Sequence, residues 1–123
     1  MFLQLNHQKL FTYSTAKKLI IECYGITKNF PHEESYNLVR QIRRAAVSVL
    51  LNIAEGSSRK SQTERIRFFE IARGSVIELD AAFEISQELG YFKLTDTGKL
   101  EQEMKNTFIM ISKLMGQRNT DKV

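Results

Sequence analysis

Apolar residues along this chain return at steps of three and four rather than in alternation, the period of an amphipathic helix and not of a strand. The pattern falls into four stretches. The first, about residues 7–29, sets Leu10, Tyr13, Ala16, Ile20 and Tyr24 on one side and ends at Phe30-Pro31, because proline disfavours a helical residue ahead of it. The second, about 33–56, has a stripe of Leu38, Ile42, Ala45, Val49, Leu51 and Ile53, with Gly56 as its stop. Ser61-Gln62-Thr63-Glu64 is a capping-box pattern that opens a third helix, about 61–89. Its inner positions are Ile66, Phe69, Ala72, Val76, Leu79, Phe83 and Ser86, and Gly90 closes it. Thr95 is placed to cap a fourth helix, about 95–115, with Leu100, Met104, Thr107, Phe108, Ile111 and Met115 inward. Residues after Gly116 read as a frayed polar tail.

Short connections between long helices force antiparallel neighbours, so the expected fold is all-α, an up-down-up-down four-helix bundle formed by residues 1–123 as a single domain. Phe2, Leu3, Leu5, Phe11, Phe68 and Ile71 exceed what the stripes of one thin bundle need. Surplus apolar surface of this kind marks a subunit interface, and a homo-oligomer is expected.

The one cysteine, Cys23, rules out an intrachain disulfide and sits among Leu19, Ile20, Ile21 and Tyr24, where a buried small hydrophobe is the expected role. Neither a secretory leader nor an apolar run of spanning length is present, so a cytoplasmic location and no membrane contact are expected. Net charge is +4, but its placement matters more. Residues 36–73 hold eight Lys/Arg against three Glu, whereas the remainder holds ten against eleven acids. A concentrated basic field favours polyanions, with a merely solvated face as the alternative.

Candidates for catalysis are thin. His7 and His32 belong to no Glu-x-x-His pair, so no metal site is expected. Asp80, Glu84 and Glu88 share a helix face but lack neighbours that would separate their acidities, and they read as a solvated acidic stripe. No glycine-rich phosphate loop and no nucleophile with a base nearby appear, so neither an enzyme nor a cofactor is expected. Gly74, mid-helix, suggests close approach of another helix. On helix two, Arg44, Ser48, Asn52 and Glu55 line one face, either as a buried network completed by Glu70 or Glu78 or as a line that contacts a ligand.

Arg40, Arg43, Arg59, Lys60, Arg65, Arg67 and Arg73 surround the turn between helices two and three. Ser57, Ser58 and Ser61 add hydroxyls and free amides there. Arginine forks and helix-start amides bind phosphate oxygens without reading sequence, so Arg40, Arg43, Arg59, Lys60, Arg65 and Arg67 are the candidate nucleic-acid contacts. Phe68 and Phe69 are expected to pack inward or at an interface rather than to stack on bases.

The run Gln41-Ile-Arg-Arg-Ala-Ala-x-Ser-x-x-x-Asn52-Ile-Ala-Glu-Gly56, with Gly74-Ser75-x-x-Glu78-Leu79 and Leu89-Gly90-Tyr91, resembles the four-helix-bundle family named for the 23S rRNA intervening-sequence protein. The resemblance covers most of the chain. It implies an antiparallel bundle assembling as a homopentamer with a basic surface, and relatives that include the accessory variability determinant of diversity-generating retroelements, which works with a reverse transcriptase and nucleic acid. Arg43, Arg44, Asn52 and Glu55 fall on the family's polar positions, and Arg59-Lys60 on its basic pair. Leu50 stands where the family often has proline, and Tyr13-Ser14-Thr15 where it often has Trp-Gln-Lys. The function expected is binding of structured RNA or DNA through phosphates; the alternative is a scaffold that docks an acidic or polymerase-type protein.

Overall fold

The computed structural model describes residues 1–116, which form four α-helices and no strand: α1 (Phe11–Thr27), α2 (Leu38–Ser58), α3 (Gln62–Glu88) and α4 (Gly98–Gly116). Each helix packs on its neighbours in chain order and α4 returns to α1, the arrangement of an up-down-up-down bundle; the α2–α3 contact is the most extensive. The expectation of a frayed tail concerns residues 117–123, which lie outside those described.

α3 follows its sequence pattern closely. Ser61 Oγ accepts the Glu64 amide at 3.1 Å, satisfying one of the orphan donors at the helix start. Gly90, at φ +80, ends the helix in the left-handed conformation. Its amide reaches the Gln87 carbonyl while that of Tyr91 reaches Ser86, the paired bonds of a Schellman cap. Between these ends Phe69, Ala72, Val76, Leu79, Phe83 and Ser86 are all buried.

The other helices start later than their periodicity suggests. Asn6–Lys9 forms a 3₁₀ turn closed by Leu5 and Gln8, whose side chain accepts the Leu5 amide at 2.7 Å, and extended Leu10 separates it from α1. His32–Glu34 forms a second such turn after Pro31, and the Asn37 amide group donates to Glu34 Oε1 at 3.0 Å, so α2 begins at Leu38 rather than near 33. A third turn, Leu94–Asp96, is closed by the Thr97 hydroxyl donating to the Leu94 carbonyl; α4 therefore begins after Thr97 and Thr95 is not its cap. In each case a local side-chain bond competes with the first helical turn.

The buried stripe of α1 is turned by about one residue from the expected one and runs through Thr12, Thr15, Ala16, Leu19, Cys23 and Thr27. Threonine is tolerated there because Thr15 and Thr27 return their hydroxyls to the carbonyls of Phe11 and Cys23 and present methyl groups to the core. Tyr24, expected inward, is exposed, as are Leu51 and Phe108. Cys23 is fully buried, and burial, aided by Glu22, pushes its thiol up to about 12, far from reactive thiolate.

Two glycines depart from their expected roles. Gly56 does not stop α2, which runs on to Ser58; it continues the inner stripe after Val49 and Ile53, and a Cβ there would lie 2.6 Å from Phe69 Cε1. Gly74, expected at a close helix contact, is exposed with open space where its Cβ would be.

Thr107 is fully buried and its hydroxyl is the one buried side-chain polar atom without a partner among the described residues. An unpaired buried hydroxyl costs about 1–3 kcal/mol of desolvation, whereas valine has nearly the same shape. Thr107→Val is expected to raise the melting temperature by several degrees in a thermal scan; an unchanged or lower value would show that the hydroxyl is satisfied in solution.

One end of the bundle is closed by aromatic rings. Phe30 lies 5.4 Å from Tyr91 and 6.2 Å from Phe92, which meets Phe83 edge-on at 5.8 Å. The Tyr91 hydroxyl donates to Glu34 Oε2 at 2.6 Å, tying the α3–α4 connection to the α1–α2 connection. That bond is the main cause holding the Glu34 carboxyl below its ordinary 4.5, against a smaller effect of burial and with help from Asn37, and it pushes the Tyr91 phenol up to about 12. The depressed carboxyl contributes stability that is complete above its unfolded value and is lost as pH falls through the folded one. The raised phenol contributes below its ordinary value of 10 and loses this as pH rises toward about 12. Tyr91→Phe is therefore expected to melt earlier than the wild type at neutral pH, with the gap closing in strong acid; a gap that persists there would place its origin elsewhere.

Candidate nucleic-acid interface

The basic residues that appear as one set in the sequence occupy two places. Arg44 and Arg59 are separated by about 22 Å of helix axis, so the α2 arginines and the cations at the α2–α3 turn cannot meet. The turn uses most of its polar groups internally. Arg59 pairs with Glu55 at 2.8 Å and lies 4.9 Å over the Phe68 ring. Arg65 donates to the carbonyls of Ser57 and Arg59 at 3.2 and 3.3 Å, satisfying acceptors left open at the end of α2, and lies 5.7 Å over Phe69. The Ser57 and Ser58 hydroxyls donate to the carbonyls of Ile53 and Glu55, and Ser61 is taken by the Glu64 amide. The Ser57 and Ser58 hydroxyl donors expected for phosphate are thus committed within the chain, and Ser61 Oγ is occupied as an acceptor. Lys60 and Arg67 remain exposed there and make no hydrogen bond or ion pair among the described residues; Arg73 is half-buried.

The second place is the outer face of α2. Arg40, Arg44, Val47 and Leu51 succeed one another at three- and four-residue steps, with Arg43 beside Arg44, and line an open groove of about 670 Å³, with Tyr24 on one wall and Tyr36 at the chain's entry into α2. Arg43 is fixed. Its Nε donates to Thr27 Oγ1 at 3.0 Å, its Nη2 to the Tyr24 carbonyl at 3.4 Å, and its guanidinium stacks 4.5 Å from the centre of the Tyr24 ring. Arg40 and Arg44 are exposed and have neither a hydrogen bond nor an ion pair among the described residues. No carboxylate lines this groove, so the charged groups of its lining are all positive.

The polar line of α2 divides in the same way. Asn52 donates to the Ser48 carbonyl at 2.8 Å, and the Ser48 hydroxyl meets that of Ser75 on α3 at 2.9 Å. Glu78 accepts from Gln41 at 3.1 Å, Glu55 is engaged by Arg59, and Arg44 reaches neither Glu70 nor Glu78. Ser48 and Glu78 therefore tie α2 to α3 and Asn52 bonds back within α2, while Arg44, Ser48 and Asn52 all line the groove. Tyr36, 87% exposed, is the groove residue that sequence reasoning missed. It precedes Arg40 by four residues and Arg44 by eight and falls within the stretch of about 33–56 expected for helix two, so the spacing already placed it on their face.

Elsewhere, His7 contacts the Tyr13 ring edge-on at 4.8 Å and His32 is exposed. Asp80, Glu84 and Glu88 are exposed on α3, and no cluster of three His, Cys, Asp or Glu placed to hold a metal occurs among the described residues. No helix among them is long and apolar enough to cross a membrane.

The family model described as 23S rRNA-intervening sequence protein matches residues 8–113, from the turn before α1 to the last turn of α4. The chain belongs to that family. Within the 23S rRNA-intervening sequence family match lie all four helices but the end of α4, both basic places and Tyr36, whereas exposed Phe2, Leu3 and Leu5 fall before it. Among curated proteins none matches the chain.

Proposed function

We propose that the protein is a non-enzymatic, oligomeric bundle that binds nucleic acid, structured RNA or DNA, through its phosphates. The α2 groove carries this reading: three arginines, two of them without partners, face one concave surface that holds no carboxylate. Burying an ion pair's worth of desolvation is avoided until a phosphate arrives, and guanidinium forks match phosphate oxygens in pairs. Lys60 and Arg67 give a secondary contact at the turn; Arg59 and Arg65, already engaged, serve mainly to hold that turn. The family's name speaks of 23S rRNA, which makes structured ribosomal RNA the first probe.

Oligomerisation supports this role. Phe2, Leu3, Phe11 and Ile77 are more than half exposed, apolar surface suited to contacts between copies, and the family resemblance implies a pentamer; the sequence expectation places its action in the cytoplasm. A groove repeated around a ring converts weak single contacts into useful affinity. Titration of the purified protein with structured RNA and with duplex DNA at two salt concentrations, alongside its mass in solution, tests the reading. An oligomer binding at micromolar concentration or tighter, and weakening steeply with salt, is the expected result; no binding at low salt would overturn it. A protein-docking scaffold is the second reading, favoured by the apolar groove of about 450 Å³ where Ile77, Phe108 and Ile109 are exposed between α3 and α4. An interface centred there would bind its partner with little dependence on salt.

A further inference from the structure

We infer that the α2 groove takes unpaired nucleotides, with a base stacked against Tyr36 and the Arg43 guanidinium, so that the protein prefers single-stranded nucleic acid to duplex. This rests on the phosphate-binding reading and goes further, because it assigns the surface between the cations.

Cations alone would suffice to hold a duplex by its backbone, since the phosphates form the outer edge of the helix and the bases stay inside. The α2 groove is built differently. Its arginines flank an apolar floor of Val39, Val47 and Leu51, and Leu51 is left 56% exposed although its helix neighbours Val49 and Ile53 are buried. A hydrated phosphate chain gains nothing from covering such a floor, whereas the face of an unpaired base does.

Two flat groups stand ready beside it. The Tyr36 ring is 87% exposed and pairs with no other ring among the described residues, so stacking displaces only water. The Arg43 guanidinium is held over the Tyr24 ring, 4.5 Å from its centre, by two hydrogen bonds, and it also lines the groove; a base laid on it would add one member to the Tyr24–Arg43 pair. Because Arg43 is already fixed by Thr27 and Tyr24, little side-chain entropy is lost when the base arrives. Arg40 and Arg44 lie one turn apart, about 6 Å along the axis, and their free forks reach the phosphates on the same strand. Unpaired bases with flexible backbone fit this arrangement; stacked and paired bases do not expose the faces it needs.

The test compares a single-stranded RNA oligonucleotide with an RNA duplex of equal length, titrated against wild type, Tyr36→Ala, Tyr36→Phe and Arg40→Ala. Base stacking on an aromatic ring leads to an expected loss of about fivefold or more for Tyr36→Ala on the single strand. Its duplex affinity should not change, Tyr36→Phe should restore single-strand binding, and Arg40→Ala should weaken both. Equal effects of Tyr36→Ala on both probes, or none on either, would overturn the inference while leaving phosphate binding intact. A Tyr36→Ala protein whose mass in solution changes while its affinity does not would also overturn it, making the groove a contact between copies. If the wild type binds neither probe, the phosphate-binding reading itself fails.

Discussion

Phe69→Ala is expected to lose about 3–5 kcal/mol of folding stability, the range for removing a fully buried aromatic side chain, and so a large part of the net stability of a domain this size. Phe69 is 1% exposed and its ring lies on Gly56, in the packing of α3 against α2. The same geometry makes Gly56 and Phe69 dependent on each other. In the wild type, Gly56→Ala gains about 1 kcal/mol of helix propensity but sets a methyl 2.6 Å from Phe69 Cε1 and 3.2 Å from the Arg65 carbonyl, so overpacking of roughly 1–3 kcal/mol prevails and the protein is weakened. In the Phe69→Ala background the obstructing ring is gone, and the added methyl fills part of the void. There Gly56→Ala is expected to be neutral or stabilising. Urea unfolding of the four proteins at one fixed concentration measures the coupling; additive effects would mean that the ring does not rest on Gly56 in solution.

The second large effect is on binding. Arg40→Glu with Arg44→Glu should weaken nucleic-acid binding by roughly a hundredfold or more, because two charge-assisted contacts are lost and two repulsive charges are gained. Helicity should be unchanged, since neither side chain touches another described residue through a hydrogen bond or ion pair. Lys60→Glu with Arg67→Glu, at the other place, should cost about tenfold or less. Arg65→Ala should act on stability instead, because its guanidinium ties the Ser57 and Arg59 carbonyls across the turn. Parallel titrations of the three proteins, with circular dichroism of each, distinguish these outcomes. A greater loss from Lys60 and Arg67 than from Arg40 and Arg44 would move the interface to the turn.

The legible parts of the fold were those fixed by one helix's own pattern. α3 carries its cap, its stop and an inner stripe from Phe69 to Ser86 within its own residues, all readable from spacing, although Ile66, expected inward, is half-buried. The face of α1 was not readable, because Thr12, Thr15 and Thr27 look polar in sequence and become core residues; Thr15 and Thr27 do so once their hydroxyls turn back to the helix. The starts of α2 and α4 depend on side-chain bonds in short 3₁₀ turns, which periodicity does not register. Gly56 and Gly74 show the same division. Gly56 falls on the line of Ile42, Val49 and Ile53 and could have been placed by that spacing, whereas the open space at Gly74 depends on where the other helices lie.

The candidate site divides along the same line. The arginines of α2 share a face by spacing alone, yet the sequence reading set Arg40 and Arg43 with the turn and Arg44 in the polar line, and only the structure brings the three to one groove. The internal use of Arg65, Ser57, Ser58 and Ser61 was not readable, since it follows from how the α2–α3 turn folds back on itself. Tyr36 was passed over although the expected second helix, about 33–56, contained it and its register with Arg40 and Arg44 was present in the sequence; in the structure it precedes α2.

The most direct measurement is the slope of log affinity against log salt for a single-stranded RNA, compared between the wild type and Arg40→Ala/Arg44→Ala. Each phosphate neutralised on a single strand contributes about 0.7 to the slope, so the double variant should give a line shallower by about 1.4 if both arginines contact phosphates. Parallel lines for the two proteins would contradict this, showing that Arg40 and Arg44 do not hold the nucleic acid.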